Sequence, residues 1–351
     1  MYSALRRDIQ SGRLATGDRL PSEAELGRLF EASRITVGRA VRDLQSAGLV
    51  ERRAGSGTFV KAPAKSAGLS FGLLIPDLGE TDIFEPICQG MMASPLAQEH
   101  ALVWGSLNGE GSKQDNAWRL CRQYIERRVA GVFFAPLEFA DGKDGINARI
   151  ARALDEARIP VVLLDRTVVP YPRRGHHDLV GIDNRRAGYV ITEHLIRAGA
   201  RRIAFVARPN TAATVDARAA GYREALHAAG LPVISSLVQR IDIEDGAAVQ
   251  ALMATERPDG IVCANDRTAG RVMRSLIAAG LAVPDDVRIV GIDDADFAEL
   301  LPVPLTTLRQ PSRQIGDVAL AAMLDRVARR DLPTRDILLH CELVVRESCG
   351  G

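Results

Sequence analysis

Hydrophobic positions near the start of the chain recur at helical spacing in two short bursts. Leu26, Leu29 and Phe30 share one face of a first helix, and Val37, Ala40, Val41 and Leu44 one face of a second. The first is expected to begin near Ser22, which follows a proline and precedes Glu25 by three residues, the spacing at which two side chains satisfy the free amides of a helix start. The chain then turns at Glu31 and Ala32, and Ser33 offers a second N-cap. Residues 49–53 and 58–60 read as strands, joined through Ala54, Gly55, Ser56 and Gly57 as a hairpin.

Further on the pattern changes. Short apolar runs at 71–75, 102–104, 129–134, 161–164, 203–206, 260–263 and 287–292 alternate with longer amphipathic segments. Such alternation predicts the α/β class, parallel sheets wrapped by helices, with ligands bound outside the carboxyl ends of the strands. A last helical face carries Ile315, Val318, Ala319, Ala322 and Met323, and the chain closes with one strand-like run over 337–345. No repeat at fixed period is visible, although two similar βα halves fit the pattern and two lobes with a cleft are expected. Small, flexible residues (KAPAKSAG, 61–68) separate the front from the rest, which gives a domain over 1–62, a linker over 63–68 and a two-lobed domain over 69–351.

Charge gives the front module a chemistry. Residues 1–62 hold 11 Lys+Arg against 7 Asp+Glu, or +4, which leaves 34 against 37, or −3, for the remainder of a chain with net charge +1. The polar face of the second helix presents Ile35, Gly38, Arg39 and Arg42, with Arg34 and Thr36 at its margins. That slim basic face suits a DNA major groove, where Arg takes guanine edges, an alkyl group meets a thymine methyl and Ser33 bonds phosphate. The glycines of the hairpin tip let backbone approach a phosphate or a minor groove closely, with Arg52 and Arg53 beside it. The competing reading is a small structural domain with a solvated charged face.

Residues 4–60, from ALRRDIQSG to GSGTFV, resemble the winged helix-turn-helix of GntR-type bacterial repressors. The resemblance implies that Arg34, Thr36 and Arg39 face DNA, with Ser33 on phosphate and the glycine wing at the minor groove. Two departures stand out. The family usually has a basic residue where this chain has Gly38, and a glycine within a helix costs about 1 kcal/mol relative to alanine. The family's first helix is also longer, so a start upstream of Met1 is expected.

A second resemblance covers residues 69–351. LVGIDNRRAGYVITEHLIRAGARRIAFV, RAAGYREALHAAGL, GIVCANDRTAGRVMRSLIAAGLAVPDDVRIVGIDD and PLTTLRQP are similar to the effector domain of LacI/GalR-type repressors, itself similar to periplasmic sugar-binding proteins. A GntR-type head on this body resembles the arabinose-repressor subgroup. Carried over by position, Arg218 and Asp266 are implied to hold ligand hydroxyls, and a guanidinium and a carboxylate can each engage two hydroxyls at fixed angles. An interlobe salt bridge or helix caps are the alternative for that pair. Arg166, which follows Asp165 at a hinge strand, and Asp293 are open between ligand contact and hinge support. Asp183 and Asn184 read as caps, and Asp77 and Phe84 are further ligand candidates from the first lobe.

The implied protein is a cytoplasmic, ligand-responsive transcription regulator, a repressor that binds operator DNA as a homodimer and releases it when a sugar or polyol enters the cleft. Because KAPAKSAG lacks helical periodicity and carries Pro63, coupling is expected to run through dimer geometry rather than through a hinge helix. A nucleobase or phosphosugar effector acting as corepressor is the alternative, since Arg166, Arg208 and Arg218 can meet a phosphate. A transport-type binding protein is disfavoured, because residues 1–30 lack a signal-peptide core and no run approaches the roughly 20 apolar residues of a membrane span. The five cysteines, Cys88, Cys121, Cys263, Cys341 and Cys349, lack CxxC spacing and read as reduced thiols. No Gly-x-Ser-x-Gly, Gly-x-x-x-x-Gly-Lys or HExxH motif is present and the paired Asp293 and Asp294 have no evident acid or base partner, so neither catalysis nor a cofactor is expected. His176 and His177 read as part of a solvated loop rather than a metal site.

Overall fold

The computed structural model describes all residues except 11, 12, 16, 47, 48, 54, 55, 61–67, 77, 106–110 and 245, and for Ser3, Arg6, Arg7, Gln10, Arg34, Ser46 and Arg53 it describes the backbone alone. It divides into two compact units, Met1–Leu69 and Ser70–Gly351. The expected linker falls almost wholly among the residues outside the description.

The front unit comprises helices α1 (Tyr2–Gln10), α2 (Glu23–Leu29) and α3 (Arg34–Ser46) and strands β1 (Val50–Arg53) and β2 (Gly57–Val60). Ser22 caps α2 as its spacing predicts: its hydroxyl accepts the Glu25 amide at 3.3 Å, and the Glu25 carboxylate accepts the Ser22 amide at 2.7 Å. Leu26, Val37, Val41, Leu44, Val50 and Val60 form the core with Leu5 and Leu20. Leu29 does not join them; it is 69% exposed, because α2 ends there and the chain leaves through Glu31 at φ 48°. The strands β1 and β2 pair antiparallel, from Val50 opposite Val60 to Arg53 opposite Gly57.

The second unit holds two six-stranded sheets. The chain first lays down β3 (Ser70–Leu74), α4 (Phe84–Ala93), β4 (Ala101–Trp104), α5 (Lys113–Glu126), β5 (Gly131–Phe134), α6 (Lys143–Glu156), β6 (Val161–Leu164) and β7 (Asp178–Ile182). It crosses into α7 (Asn184–Arg197) and builds β8 (Ile203–Ala207), α8 (Ala213–Ala228), β9 (Val238–Arg240), α9 (Gly246–Glu256), β10 (Gly260–Cys263), α10 (Asp266–Ala278), β11 (Arg288–Asp293) and β12 (Thr306–Arg309). Helix α11 (Ser312–Ala328) returns to the first lobe, whose sheet β13 (Asp336–Leu339) completes, and β14 (Glu342–Val344) closes the second. The orders are β13-β7-β6-β5-β3-β4 and β14-β12-β11-β10-β8-β9. Every pair is parallel except β12 with β14. The inner strands β5, β6, β8 and β10 are buried along their whole length, as a parallel sheet covered on both faces requires.

Two features differ from the sequence reading. The closing run 337–345 is two strands in different sheets, broken at His340 and Cys341 where the chain crosses between lobes. The lobes also repeat each other in topology, strand for strand, with α7 and α11 exchanged: α7 follows a strand of the first sheet and packs on the second, and α11 does the reverse. Three segments therefore cross between the lobes, after β7, after β12 and between β13 and β14.

Candidate functional site

The exposed face of α3 carries the first group of candidates. Ser33 caps the helix, its hydroxyl accepting the Thr36 amide at 3.3 Å and lying 2.8 Å from the Thr36 hydroxyl. Beyond the cap, Ile35 is 81% exposed, and Thr36, Arg39 and Arg42 are exposed beside it. The Ile35 alkyl surface is open on the same face as these polar side chains. Arg34 begins the helix, but its side chain, like Gly55, lies outside the described residues.

On the wing, Gly57 has φ 117°, and a Cβ there would come within 2.7 Å of Arg19 Nε. Only glycine lets that guanidinium lie against the wing backbone. Arg52 reaches Glu23 at 3.6 Å, and Arg19, Arg28 and Arg52 line a concavity of about 750 Å³ between the start of α2 and the wing. No sequence motif marks Arg19, whose place beside Gly57 depends on the distant hairpin.

The second group lies where the lobes meet. Arg166, at the end of β6, is buried; its Nη1 is 2.7 Å from Glu138 Oε1, its Nε donates to Asp165 Oδ2 at 3.1 Å, and its guanidinium lies 5.0 Å over the Phe84 ring. Phe84 is itself wholly buried, forming a wall behind Arg166. Glu138, which has no motif to mark it, accepts from the Thr81 hydroxyl at 3.1 Å and from the Ala212 amide of the second lobe at 3.2 Å.

From the second lobe, Arg218 on α8 donates through Nε to Asn184 Oδ1 at 2.8 Å and through Nη1 to the Ala264 carbonyl at 2.6 Å, with Nη2 3.7 Å from Asp293 Oδ1. Asp293 sits at the end of β11 with φ 130° and accepts from Gln310 Nε2 at 2.7 Å. Burial drives its carboxyl well above the usual range, with Arg218 opposing and the charge of Asp266 adding to the rise. Among the described residues, Asp165 Oδ1 and Gln310 Oε1 are buried acceptors with no hydrogen-bond partner.

Asp266 is held by its own neighbours. It is fully buried, and both oxygens are taken, Oδ1 by the Thr307 hydroxyl at 2.6 Å and Oδ2 by the Ala295 amide at 2.9 Å. These bonds tie it to β12 and to the loop after β11, one residue of which, Ala295, lies two positions beyond Asp293. Asp183 is a cap, accepting the Arg186 amide at 2.9 Å, while Asn184 is the partner of Arg218. Asp77 lies outside the described residues. The histidine loop also differs from expectation: His177 is buried, and both rings meet Asp155.

The lobes touch at two rims. At one, Arg267 forks onto Asp82 at 2.6 and 3.2 Å; at the other, Asn210 Nδ2 donates to Asp141 Oδ1 at 2.7 Å, the Phe139 amide donates to the Asn210 carbonyl at 2.7 Å, and Arg208 stacks on Phe139. A cavity of about 730 Å³, lined by Thr81, Asp82, Asp293, Asp294 and Gln310 among others, opens beside the first rim. Its volume lies in the usual range for small-molecule sites.

Residues 1–60 match the bacterial regulatory proteins of the gntR family, and residues 192–349 the periplasmic binding protein-like domain. The HTH-type transcriptional repressor PurR of Vibrio campbellii is 30% identical over 76% of this chain and 77% of its own length. The chain belongs to the LacI-type family of transcription regulators, and its head is of the GntR type. The arabinose metabolism transcriptional repressor of Geobacillus stearothermophilus is similar to this LacI-type regulator across both modules, 28% identical over 99% of the chain and 97% of its own. A solved transcriptional regulator CelR–cellobiose complex is 26% identical, with a TM-score of 0.68, over 94% of this chain and all of that one. The α3 face and the interlobe cleft are thus the candidate DNA and effector sites of a LacI-type regulator.

Proposed function

We propose that this regulator is a repressor that leaves its operator when an uncharged polyhydroxy ligand, a sugar or polyol, enters the cleft between the lobes. The balance of donors and acceptors carries this reading. Arg166 is already matched by Glu138 and Asp165, and the Arg218 donors Nε and Nη1 are taken by Asn184 and the Ala264 carbonyl beside Asp293. A phosphate would add negative charge beside three buried acids, Glu138, Asp165 and Asp293, at a large desolvation cost. A polyol brings hydroxyl donors, and the orphaned acceptors Asp165 Oδ1 and Gln310 Oε1 suit such donors. Arg166, Arg218 and Asp293 are the contact residues in this reading, and Asp266 positions Asp293. The cellobiose complex of a related regulator and the arabinose repressor support the ligand class.

Ser33, Arg34, Ile35, Thr36 and Arg39 with the wing residues Arg52, Gly55 and Gly57 form the DNA surface. Two copies act together, so that their heads meet half-sites about 34 Å apart. A DNA target and five free thiols support action in the cytoplasm. No helix among the described residues is long and apolar enough to cross a membrane.

The test is thermal unfolding against pentoses, hexoses, their phosphates and nucleobases, followed by operator release with any hit. A ligand at 100 times its Kd adds about 2.7 kcal/mol. The expected result is a selective upward shift with one neutral sugar, and release of operator by it. A shift with phosphosugars or nucleobases alone, together with tighter operator binding in their presence, would instead support the corepressor reading.

A further inference from the structure

We infer that Asp155, His176 and His177 form a binding site for a divalent transition metal, zinc by its ligand chemistry, on the side of the first lobe. Adjacent residues ordinarily point their side chains apart. Here both imidazoles turn to one carboxylate: His176 Nε2 is 2.8 Å from Asp155 Oδ2 and His177 Nε2 is 2.9 Å from Asp155 Oδ1, with the ring centroids 4.3 Å apart. One donor atom from each of the three residues falls within 4.8 Å of the others.

The backbone holds this convergence. Thr334 donates its hydroxyl to the His176 carbonyl at 3.1 Å, Arg174 donates to the His177 carbonyl at 3.1 Å, and His177 is buried. The Arg174 charge is met by Asp336 at 2.7 Å, so it adds little repulsion to an incoming cation. Asp155 lies in the last turn of α6, where the helix dipole disfavours an anion. Among the described residues no lysine or arginine side chain bonds its carboxylate, whose partners are the two imidazoles.

Two imidazole nitrogens and a carboxylate oxygen are a donor set suited to zinc, copper or nickel rather than to magnesium or calcium. Zinc holds nitrogen and oxygen donors at about 2.0–2.2 Å, which places tetrahedral ligands roughly 3.3–3.6 Å apart. The two His–Asp separations would lengthen from 2.8 and 2.9 Å to admit the ion, an adjustment available through His176, whose side chain is 75% exposed and can swing, and water can fill the fourth position. The metal would then tie the end of α6 to the segment that runs from Arg166 at the cleft to Asp178. It is a site separate from the cleft, and its test needs neither effector nor operator.

The full-length protein, stripped with a chelator, is to be titrated with Zn2+, Co2+ and Mg2+ while thermal unfolding and visible absorption are followed. The site predicts a saturable rise in Tm with Zn2+, the visible bands of four-coordinate Co2+ at one equivalent, and no response to Mg2+. His176→Ala removes an exposed ligand and is expected to leave the metal-free Tm unchanged. It should weaken Zn2+ binding by more than the roughly 10- to 100-fold that follows loss of an outer-shell partner. Asp155→Asn should weaken it similarly in a side chain of the same size. No saturable response in the parent protein would overturn the site. So would a response that survives both substitutions, which would place the metal elsewhere, for instance on the His194 and Cys349 pair 3.2 Å apart.

Discussion

Asp165, Asp293 and Asp294 occupy positive φ, at 66°, 130° and 54°. Such backbone costs a residue with a Cβ about 1–3 kcal/mol and survives where the surroundings over-determine it. Asp165 follows β6 and the other two end or follow β11, equivalent strands of the two lobes, so the same strained turn is used twice to bring carboxylates to one junction. Asp266 shows how the second of these turns is held. Burial raises its carboxyl to about 6, with the Thr307 hydroxyl and Ala295 amide lowering it in part and the Asp294 charge adding to the rise. The folded state then binds a proton more tightly than the unfolded chain, whose Asp titrates near 3.9. The stability that Asp266 contributes is therefore lost as pH rises from about 4 to about 6. Asp266→Asn should remove that contribution, so that stability rises more, or falls less, across this range than in the parent protein. It should also cost about 1–3 kcal/mol at neutral pH, because an amide cannot accept from both Thr307 and Ala295. Urea unfolding of both proteins across this pH range checks both effects; an unchanged pH slope would show that Asp266 does not carry it.

Helix packing repeats in the same way. In the first lobe Gly90 of α4 meets the Arg313 carbonyl, and Gly316 of α11 meets the Ile87 carbonyl; in the second, Gly188 of α7 meets the Arg218 carbonyl, and Gly221 of α8 meets that of Arg185. A Cβ at any of the four would sit far inside contact distance of backbone, so each crossing helix lies backbone to backbone on its partner. Gly188 and Gly316 are both the fifth residue of their helices. Forced separation of such helices costs about 1–3 kcal/mol or more. Gly316→Ala should lower stability by at least that much. Gly188→Ala should do so and, by displacing the backbone of Arg218, also weaken effector binding beyond the loss of fold. Denaturant unfolding with and without effector separates the two; equal relative effector affinity in both variants would remove Arg218 from the account.

On the scale of the whole chain, the basic front and the acidic remainder correspond to two units with separate cores. Their functions should be separable by substitution. Arg39→Ala is expected to weaken operator binding by about 1–3 kcal/mol while the effector-induced rise in Tm stays intact. Arg218→Lys is expected to do the opposite, since an ammonium cannot hold Asn184, Ala264 and Asp293 together. Anisotropy on an operator fragment and thermal unfolding with effector read both properties; loss of the effector shift in Arg39→Ala would refute the division. In the parent protein, DNA and inducer should weaken each other by one common factor.

Local chemistry was legible in the residue order. The Ser22 and Glu25 cap, the apolar stripe of α3, the buried strand runs and the identity of Arg166, Arg218 and Asp293 as site candidates all depend on neighbours a few positions apart or on motifs contiguous in the chain. Other features arise between residues far apart. Glu138 has no signature until it meets Arg166 and the Ala212 amide. Asp266, the aspartate of its motif, has both oxygens claimed by the loop after β11 and by β12. The topological repeat is hidden because α7 and α11 are exchanged between lobes, and a strand-like run becomes two strands because its middle crosses from one sheet to the other. Periodicity and capping act over one or two turns of chain and so are written in the sequence. Which buried charge neutralises which, and which carboxylate is left to meet a ligand, is decided only when the sheets bring distant segments together.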